Sequence, residues 1–325
     1  MPPSVAVVVP TFNRATRLPR LVAALAAQQG IADFEVVVVD DGSTDDTWAV
    51  LNELAADPSL TLRAERMQEN RGNPAAARNV GWRATEAAVI AFTDDDCVPT
   101  PRWLASLLDS SERHDIVEGR TVPDPAQREA RGPFSRTLDV SRDTGYYPTC
   151  NIAYRRAVLA AMDGFDEQFQ RMVGEDTDLA WRAIKAGATT AFDDRAVVHH
   201  DVTASDFVAA MRDAQRWRDA ALVVRRHPEV RASFASRYVW REAHQFALAA
   251  VVGIAAIAAS PRSRRSWLAG LGLAAPYVRY RTAVAPLPGA GPRRRWLLLP
   301  AALAVDSAEV AACLVGSAEH RSLVI

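Results

Sequence analysis

Asp94, Asp95 and Asp96 stand out first: three adjacent carboxylates one residue past the apolar run at 87–92. Like charges side by side repel, and an exposed loop gains nothing from them. At the carboxyl end of a buried strand in an open α/β sheet they have a use, because that is where ligands bind. A hard divalent ion such as Mg2+ or Mn2+, with diphosphate oxygens as further ligands, would offset the repulsion. The same three residues also fit an acidic turn ahead of a helix opened by Thr100-Pro101.

Other reactive residue types recur in comparable places. Glu175, Asp176 and Asp178 follow Gly174 and open a helix that ends at Gly187. The helix dipole favours carboxylates there and keeps them ionised, yet one cap is enough, which leaves Asp176 in excess. His199 and His200 close a short strand, where an imidazole is either a structural group or a nitrogen ligand. Asn13 and Arg14 follow the first strand, Asp40 and Asp41 the second, and Arg71 lies in the turn after the third. There is no GxGxxG after the first strand and no GxxxxGK[ST], so neither a dinucleotide site nor a P-loop is indicated.

The elements that must position these groups alternate. β-Branched or apolar runs at 4–9, 34–39, 60–64 and 87–92 are separated by stretches with helical spacing, among them Leu18, Leu21, Val22 and Leu25. Pro10 stops the first strand, and Ser43 with Asp46 has the spacing of a capping box for a helix to about 56. Asn73 and Pro74 start a helix running to about 86. This β-α-β-α-β-α-β order predicts an α/β fold with a mostly parallel, doubly wound sheet. Further on come a helix over 103–113, strands at 115–120, 149–154 and 197–200, and one long amphipathic helix over 203–226. The unpatterned stretch at 122–147 reads as a functional loop.

Composition is globular, with 49% apolar and 24% charged residues. The net charge of −1 hides an asymmetry. Residues 1–236 carry 27 basic and 35 acidic side chains, whereas 237–325 carry 11 and 4, nets of −8 and +7. That shift sets the expected boundary at 236/237. The three cysteines, Cys97, Cys150 and Cys313, lack CxxC spacing and fit a reducing compartment. The N-terminus shows no basic region or cleavage site, so no signal peptide is expected. Nothing points to nucleic acid as a partner.

Together these landmarks resemble the family 2 glycosyltransferases, which have a GT-A fold. The resemblance covers about residues 4–205. It rests on Val8-Val9-Pro10-Thr11-Phe12-Asn13-Arg14, Val38-Val39-Asp40-Asp41-Gly42-Ser43, Asn70-Arg71-Gly72 with Ala77-Arg78-Asn79, the aspartate cluster, Asn151, Gly174-Glu175-Asp176 and His200. It implies an inverting enzyme that moves a sugar from a nucleotide-diphospho-sugar to an acceptor. Pro10, Thr11, Asn13, Arg14, Asp41, Arg71, Arg78, Asp94 and Asp95 would line the nucleotide-sugar, and Asn151 the sugar and acceptor pocket. Asp94 and Asp96 correspond to the family's DxD, with Asp96 and His200 holding Mn2+ or Mg2+; a one-residue slip would make the ligand His199. Asp176 corresponds to the catalytic base, which Glu175 supports. Rival readings are a polyprenyl-phosphate sugar transferase and a non-catalytic nucleotide- or carbohydrate-binding protein. The sugar, the nucleotide and the oligomeric state stay open.

Residues 237–325 fall outside that resemblance. The apolar run at 246–259 is 14 residues, short of the roughly 20 needed to span a bilayer. Runs at 268–278 and 296–315 follow, with Arg262, Arg264, Arg265, Arg279, Arg281 and Arg293 to Arg295 around them. Such helices suit peripheral contact with an anionic membrane at its cytoplasmic face, or a packing subdomain. A surface anchor would fit a lipid-linked acceptor or a cell-envelope glycan. On the 296–315 helix, Asp306, Glu309, Cys313, Gly316 and His320 share one narrow face, which argues against a lipid-exposed span.

Overall fold

The computed structural model describes residues 3–169 and 174–325; Met1 and Pro2, where the sequence predicts no leader, lie outside them. The chain forms two compact units, Met1–Ala126 with Thr137–Asp201, and Gln127–Arg136 with Val202–Ile325. Residues 202–236, on the acidic side of the charge shift, thus belong with the basic C-terminal helices.

In the first unit the predicted alternation is present as β1 (Val5–Thr11), α1 (Leu18–Ala26), β2 (Phe34–Asp40), α2 (Thr47–Ala55), β3 (Leu62–Arg66), α3 (Ala75–Arg83) and β4 (Val89–Thr93). β1 pairs in parallel with β2 and β4, and β2 with β3. Every residue of β1 is buried. Val5, Val7 and Val9 face one layer with Leu18, Leu21 and Leu25 of α1, while Ala6 and Val8 face the other with Ala77 of α3. Two-sided burial is why these strands read as continuous apolar runs.

The chain then departs from simple alternation with β5 (Cys97–Pro99), α4 (Trp103–Ser111), β6 (Ile116–Pro123), β7 (Asn151–Arg155), α5 (Arg156–Ala161), α6 (Glu175–Lys185) and β8 (Thr190–His200). Among the described residues eight strands make one mixed sheet of order β3-β2-β1-β4-β7-β6-β8-β5. β7 runs antiparallel to β4 and β6, and β5 antiparallel to β8. The short β5 had no apolar run to announce it, and β8 is 11 residues where four were expected.

Two local readings are corrected. Pro10 does not end β1, which continues to Thr11; pairing with β4 stops at Val8, so the missing N–H costs nothing on that side. The Ser43–Asp46 capping box does not form. Ser43 Oγ instead accepts from the Asn13 amide at 2.9 Å, and Asp45 takes the Thr47 amide at 3.0 Å.

The second unit holds α7 (Phe207–Asp213), α8 (Ala220–Arg226), α9 (Glu242–Ala259), α10 (Arg264–Arg279) and α11 (Pro292–His320). The single helix expected over 203–226 is broken. Thr203 is tied into a backbone bridge with Arg136, Asp206 caps α7 by accepting from the Ala209 amide at 2.7 Å, and a 3-10 segment, Ala214–Asp219, separates α7 from α8. α9 and α10 approach so closely that a Cβ on Gly253 would lie 2.5 Å from the Gly270 carbonyl oxygen.

α11 is turned polar side inward. Asp306 is buried and accepts from Tyr277 Oη at 2.7 Å and from the Arg281 guanidinium. Glu309 accepts from Arg241 and Trp217 and meets His244 Nε2 at 3.0 Å. Leu299 and Leu303 pack inward as well, but Leu297 on α11 is 81% exposed and Leu268 on α10 64%. α9 and α11 are both long and apolar enough to cross a membrane, so the expectation from the 14-residue run was too short by its helical flanks.

Candidate active site

The predicted groups gather at the carboxyl ends of β1, β2 and β4 because parallel strands deliver their exits to one edge. After β1, Asn13 takes a left-handed conformation, φ 55°, which an Asn tolerates. Its side-chain oxygen accepts from the Thr44 amide at 2.9 Å, locking the β1 exit to the β2 exit. Asp41 accepts from Asn70 Nδ2 at 2.8 Å and from the Arg71 amide at 3.3 Å. Burial pushes its carboxyl up to about 6, against the pull of the Arg71 amide. Gly42, at φ +72°, sits against this same turn: a Cβ there would be 2.7 Å from the Asn70 nitrogen. The Arg71 side chain is exposed and meets Glu69 at 3.7 Å.

The three aspartates have three different surroundings. Asp95 accepts from Thr11 Oγ1 at 2.7 Å and from Arg14 Nε at 3.3 Å, tying the β4 exit to the β1 exit. Burial, with Asp96 adding repulsion, lifts its carboxyl to about 7. Asp94 accepts from Arg78 at 2.9 Å. The same guanidinium donates to Glu175 at 2.9 Å, so one buried cation joins the aspartate cluster to the start of α6. Asp96 turns to β8, where His200 Nε2 is 3.7 Å away.

Asp96, Cys97 and His200 present ligand atoms within 4.8 Å of one another. Cys97 makes a poor ligand, since its hydrogen bond to Cys150 and its burial push the thiol well above its ordinary value. His200 Nδ1 lies 2.9 Å from the Asp201 carbonyl oxygen; a proton held there leaves the Nε2 lone pair directed at Asp96. A carboxylate, an imidazole and a neighbouring Asp94 are a donor set that fits Mn2+ or Mg2+. The register pairs Cys97 with His200, whereas His199 pairs with Val98 and projects to the other face.

Asp176 lies in the first turn of α6 behind Gly174, φ 108°. It accepts from the Thr177 amide at 2.7 Å. The helix dipole was expected to keep it ionised. Burial and the charge of Glu175 outweigh that pull and raise the carboxyl to about 7.

Asn151 reaches the site's edge but has its amide fully engaged: its oxygen accepts from Trp103 Nε1 at 2.8 Å, and its nitrogen donates to the carbonyls of Arg120 and Ala196, each at 2.9 Å. It pins β6, β7 and β8 together. Sequence reasoning passed over Arg17 and Arg20 at the start of α1. Arg17 stands 3.7 Å from Asp96 and 3.5 Å from Asp201, and Arg20 pairs with Asp124 and Asp201. Their signal was only position, two basic residues just beyond the Thr11–Arg14 loop.

Residues 6–162 match the family model for glycosyl transferase family 2. Those residues form a domain of that family. It is 33% identical over 244 residues to a pre-mycofactocin glycosyltransferase of Mycobacterium tuberculosis, covering 69% of this chain and 48% of the relative. It is 28% identical over 217 residues to a validoxylamine A glucosyltransferase of Streptomyces hygroscopicus, covering 55% of this chain and 51% of the relative. The chain therefore spans about half the length of these curated relatives. A mannosyltransferase from Pyrobaculum calidifontis, solved with GDP-Man and Mn2+, superposes with TM-score 0.58 at 21% identity, over 99% of this chain and 88% of that one. S. aureus TarS 1-349 with UDP-GlcNAc gives TM-score 0.52 at 18% identity, over 98% and 92%. These likenesses give the fold, a GT-A sheet followed by a helical C-terminal region.

Proposed function

We propose that this chain transfers a sugar from a nucleotide-diphospho-sugar to an acceptor hydroxyl with inversion at the anomeric carbon. The observation that carries the reading is the Asp94–Arg78–Glu175 link. One buried guanidinium fixes the aspartate cluster relative to Asp176, so donor end and base form one rigid constellation.

Thr11, Asn13, Arg14, Asp41 and Arg71 frame the nucleotide, with Pro10 shaping the β1 exit. Asp95 holds that frame to β4. Asp94, Asp96 and His200 would bind Mn2+ or Mg2+, whose charge favours departure of the nucleotide diphosphate. Asp176 takes the proton from the acceptor hydroxyl. As that O–H bond breaks, the oxygen bonds to the anomeric carbon from the face opposite the diphosphate, and the C–O bond to phosphate breaks with its electron pair leaving on phosphate. A relative named for a glycan-building role, a succinoglycan biosynthesis protein of Rhizobium meliloti, is 33% identical and supports a place in glycan synthesis.

Catalysis is assigned to residues 1–236 and membrane contact to 237–325. What supports the second assignment is that α11 turns Asp306 and Glu309 inward into ion pairs while Leu297 on α11 and Leu268 on α10 stand exposed, in the same region of the sequence as the arginines of 262–265 and 293–295. Apolar side chains between basic ones suit a surface docked on anionic lipid at the cytoplasmic face.

Purified protein incubated with a panel of UDP-, GDP- and dTDP-sugars and Mn2+ or Mg2+ tests the enzyme reading. Metal-dependent cleavage of one donor is expected, falling at least a hundredfold in Asp96→Ala. Cleavage of none, with or without added membrane extract, would leave a binding protein.

A further inference from the structure

Each aspartate of the cluster faces a guanidinium, and the three contacts differ in kind. Arg78 is buried and donates to Asp94 and to Glu175, each at 2.9 Å, so its place is fixed. Arg14 donates to Asp95 at 3.3 Å. Arg17, just ahead of α1, stands by Asp96 with Nη1 3.7 Å from Oδ2, beyond hydrogen-bond reach. That nitrogen has no hydrogen-bond partner among the described residues. Asp96 is thus flanked on both sides, by Arg17 at Oδ2 and by His200 Nε2 at 3.7 Å from Oδ1. The side chains of Arg17 and Asp96 are 29% and 21% exposed, so neither is sealed in the interior. A partly exposed ion pair without a hydrogen bond contributes little to folding, which makes Arg17 the most readily exchanged of the three cations.

Its position is nonetheless built. Arg17 Nε lies 3.5 Å from Asp201, whose other oxygen accepts from Arg20 at 3.1 Å, and Arg20 continues to Asp124. Two backbone hydrogen bonds of 2.8 Å tie these acids to the candidate metal ligands: the Asp201 amide donates to the Asp96 carbonyl and the Asp124 amide to the His200 carbonyl. The run Asp96–Arg17–Asp201–Arg20–Asp124 alternates in sign and holds one cation at the open side of Asp96. A divalent ion held by Asp96 and His200 would lie beside a guanidinium attracted to the same carboxylate, and like charges at such range repel more than screening removes. A diphosphate reverses the balance. It brings oxygens for the ion and an anion for Arg17, whose planar fork of donors suits phosphate.

We propose that Arg17 is a resident counter-ion that competes with the metal for Asp96 and turns to the donor's diphosphate, so that the metal binds weakly to the empty site and firmly once the nucleotide diphosphate is present. This rests on the metal-dependent transferase reading above. It gives Arg17 control over when the site loads, a role separate from holding the ion.

The test uses the full chain and needs no turnover. Mn2+ binding is followed by electron paramagnetic resonance, first with protein alone and then with saturating UDP, GDP or dTDP, each corrected for the ion held by the free nucleotide. In the parent, one diphosphate is expected to tighten Mn2+ binding about tenfold or more, and by linkage Mn2+ tightens that diphosphate by the same factor. In Arg17→Gln and Arg17→Met the affinity of the empty site for Mn2+ should rise about tenfold and the gain from the diphosphate shrink accordingly. Arg17→Lys, which keeps the charge, should stay near the parent. A merely structural role predicts the opposite sign, since losing the ladder would leave Asp96 and His200 less well placed. Unchanged or weaker Mn2+ binding in the neutral variants, shown by thermal melts to be folded, overturns the proposal and leaves the transferase reading standing. So does Mn2+ binding in the parent that no diphosphate alters, a result that requires no variant. No Mn2+ bound by the parent under any of these conditions removes the metal-dependent reading and the proposal with it.

Discussion

Both units bury carboxylates, and they differ in how completely they match them. In the helical unit Asp306 has Tyr277 and Arg281, and Glu309 has Arg241, His244 and Trp217. The sheet unit pairs acids away from the site in the same way, Asp40 with Arg66 and Asp178 with Arg182, but at the candidate site the acids outnumber their cations. Arg78 is shared between Asp94 and Glu175, Asp176 is held mainly by its own helix end, and Glu118 has no partner among the described residues. Matched charges cement a structure; under-matched ones raise each other's pKa and store an affinity for something else. The contrast locates the chemistry in the sheet unit without reference to any motif.

The largest effect that would sharpen this contrast is at Asp176. Asp176→Asn should lower the transfer rate about a thousandfold or more while donor binding, measured by titration calorimetry, survives. The same variant should melt higher than the parent at pH 8. A carboxyl raised from 3.8 to about 7 is a native group that must ionise against its surroundings, so its destabilising charge is fully present above pH 7 and absent below about pH 4. The gain from Asn should therefore fade as pH drops from 7 to 4. A variant that loses activity and stability together at pH 8 would place Asp176 among the matched, structural acids.

Asp306→Ala probes the other side. Removing it strands the half-buried Arg281 and the buried Tyr277, and a largely buried charge left uncompensated costs about 3 kcal/mol, read as a lower denaturation midpoint. A neutral result would mean that the helical unit does not depend on its ion pairs.

Next in size is the pH profile. With Asp176 working as an ionised base of pKa about 7, kcat/KM should fall tenfold per unit below that pH and level off above it. An acid limb near pH 4 would show that the base is not raised, and the contrast between the units would weaken accordingly.

How much of this was legible in the sequence follows from which interactions are local. β1, β2 and β4 could be read because two-sided burial writes continuous apolar runs, and the aspartate cluster because three adjacent acids are chemically odd. β5 and most of β8 could not, since their pairing with each other is set by partners a hundred residues away. Glu118 was missed for the same reason. In the sequence it is one polar residue in a plausible strand, and only the sheet shows that it faces α6. Arg78 was visible as a basic residue, but its double engagement with Asp94 and Glu175, 16 and 97 residues distant, belongs to the fold. Asn151 shows the converse: a residue noticed for chemistry whose amide is used up holding three strands.

The smallest effect expected is the most direct test of what the helical unit's inversion is for. If the outward leucines meet lipid, replacing Leu268 and Leu297 with Glu removes apolar contact and adds repulsion from an anionic surface. Cosedimentation with vesicles containing anionic lipid should then weaken several-fold, and more so than with neutral vesicles, because both terms act together. Raising salt should release the parent from anionic vesicles only in part, since screening touches the arginines and leaves the leucines seated. Complete release by salt would assign the contact to charge alone. It would then leave the buried pairs of Asp306 and Glu309 as a way of holding helices together whose exposed leucines serve some other surface.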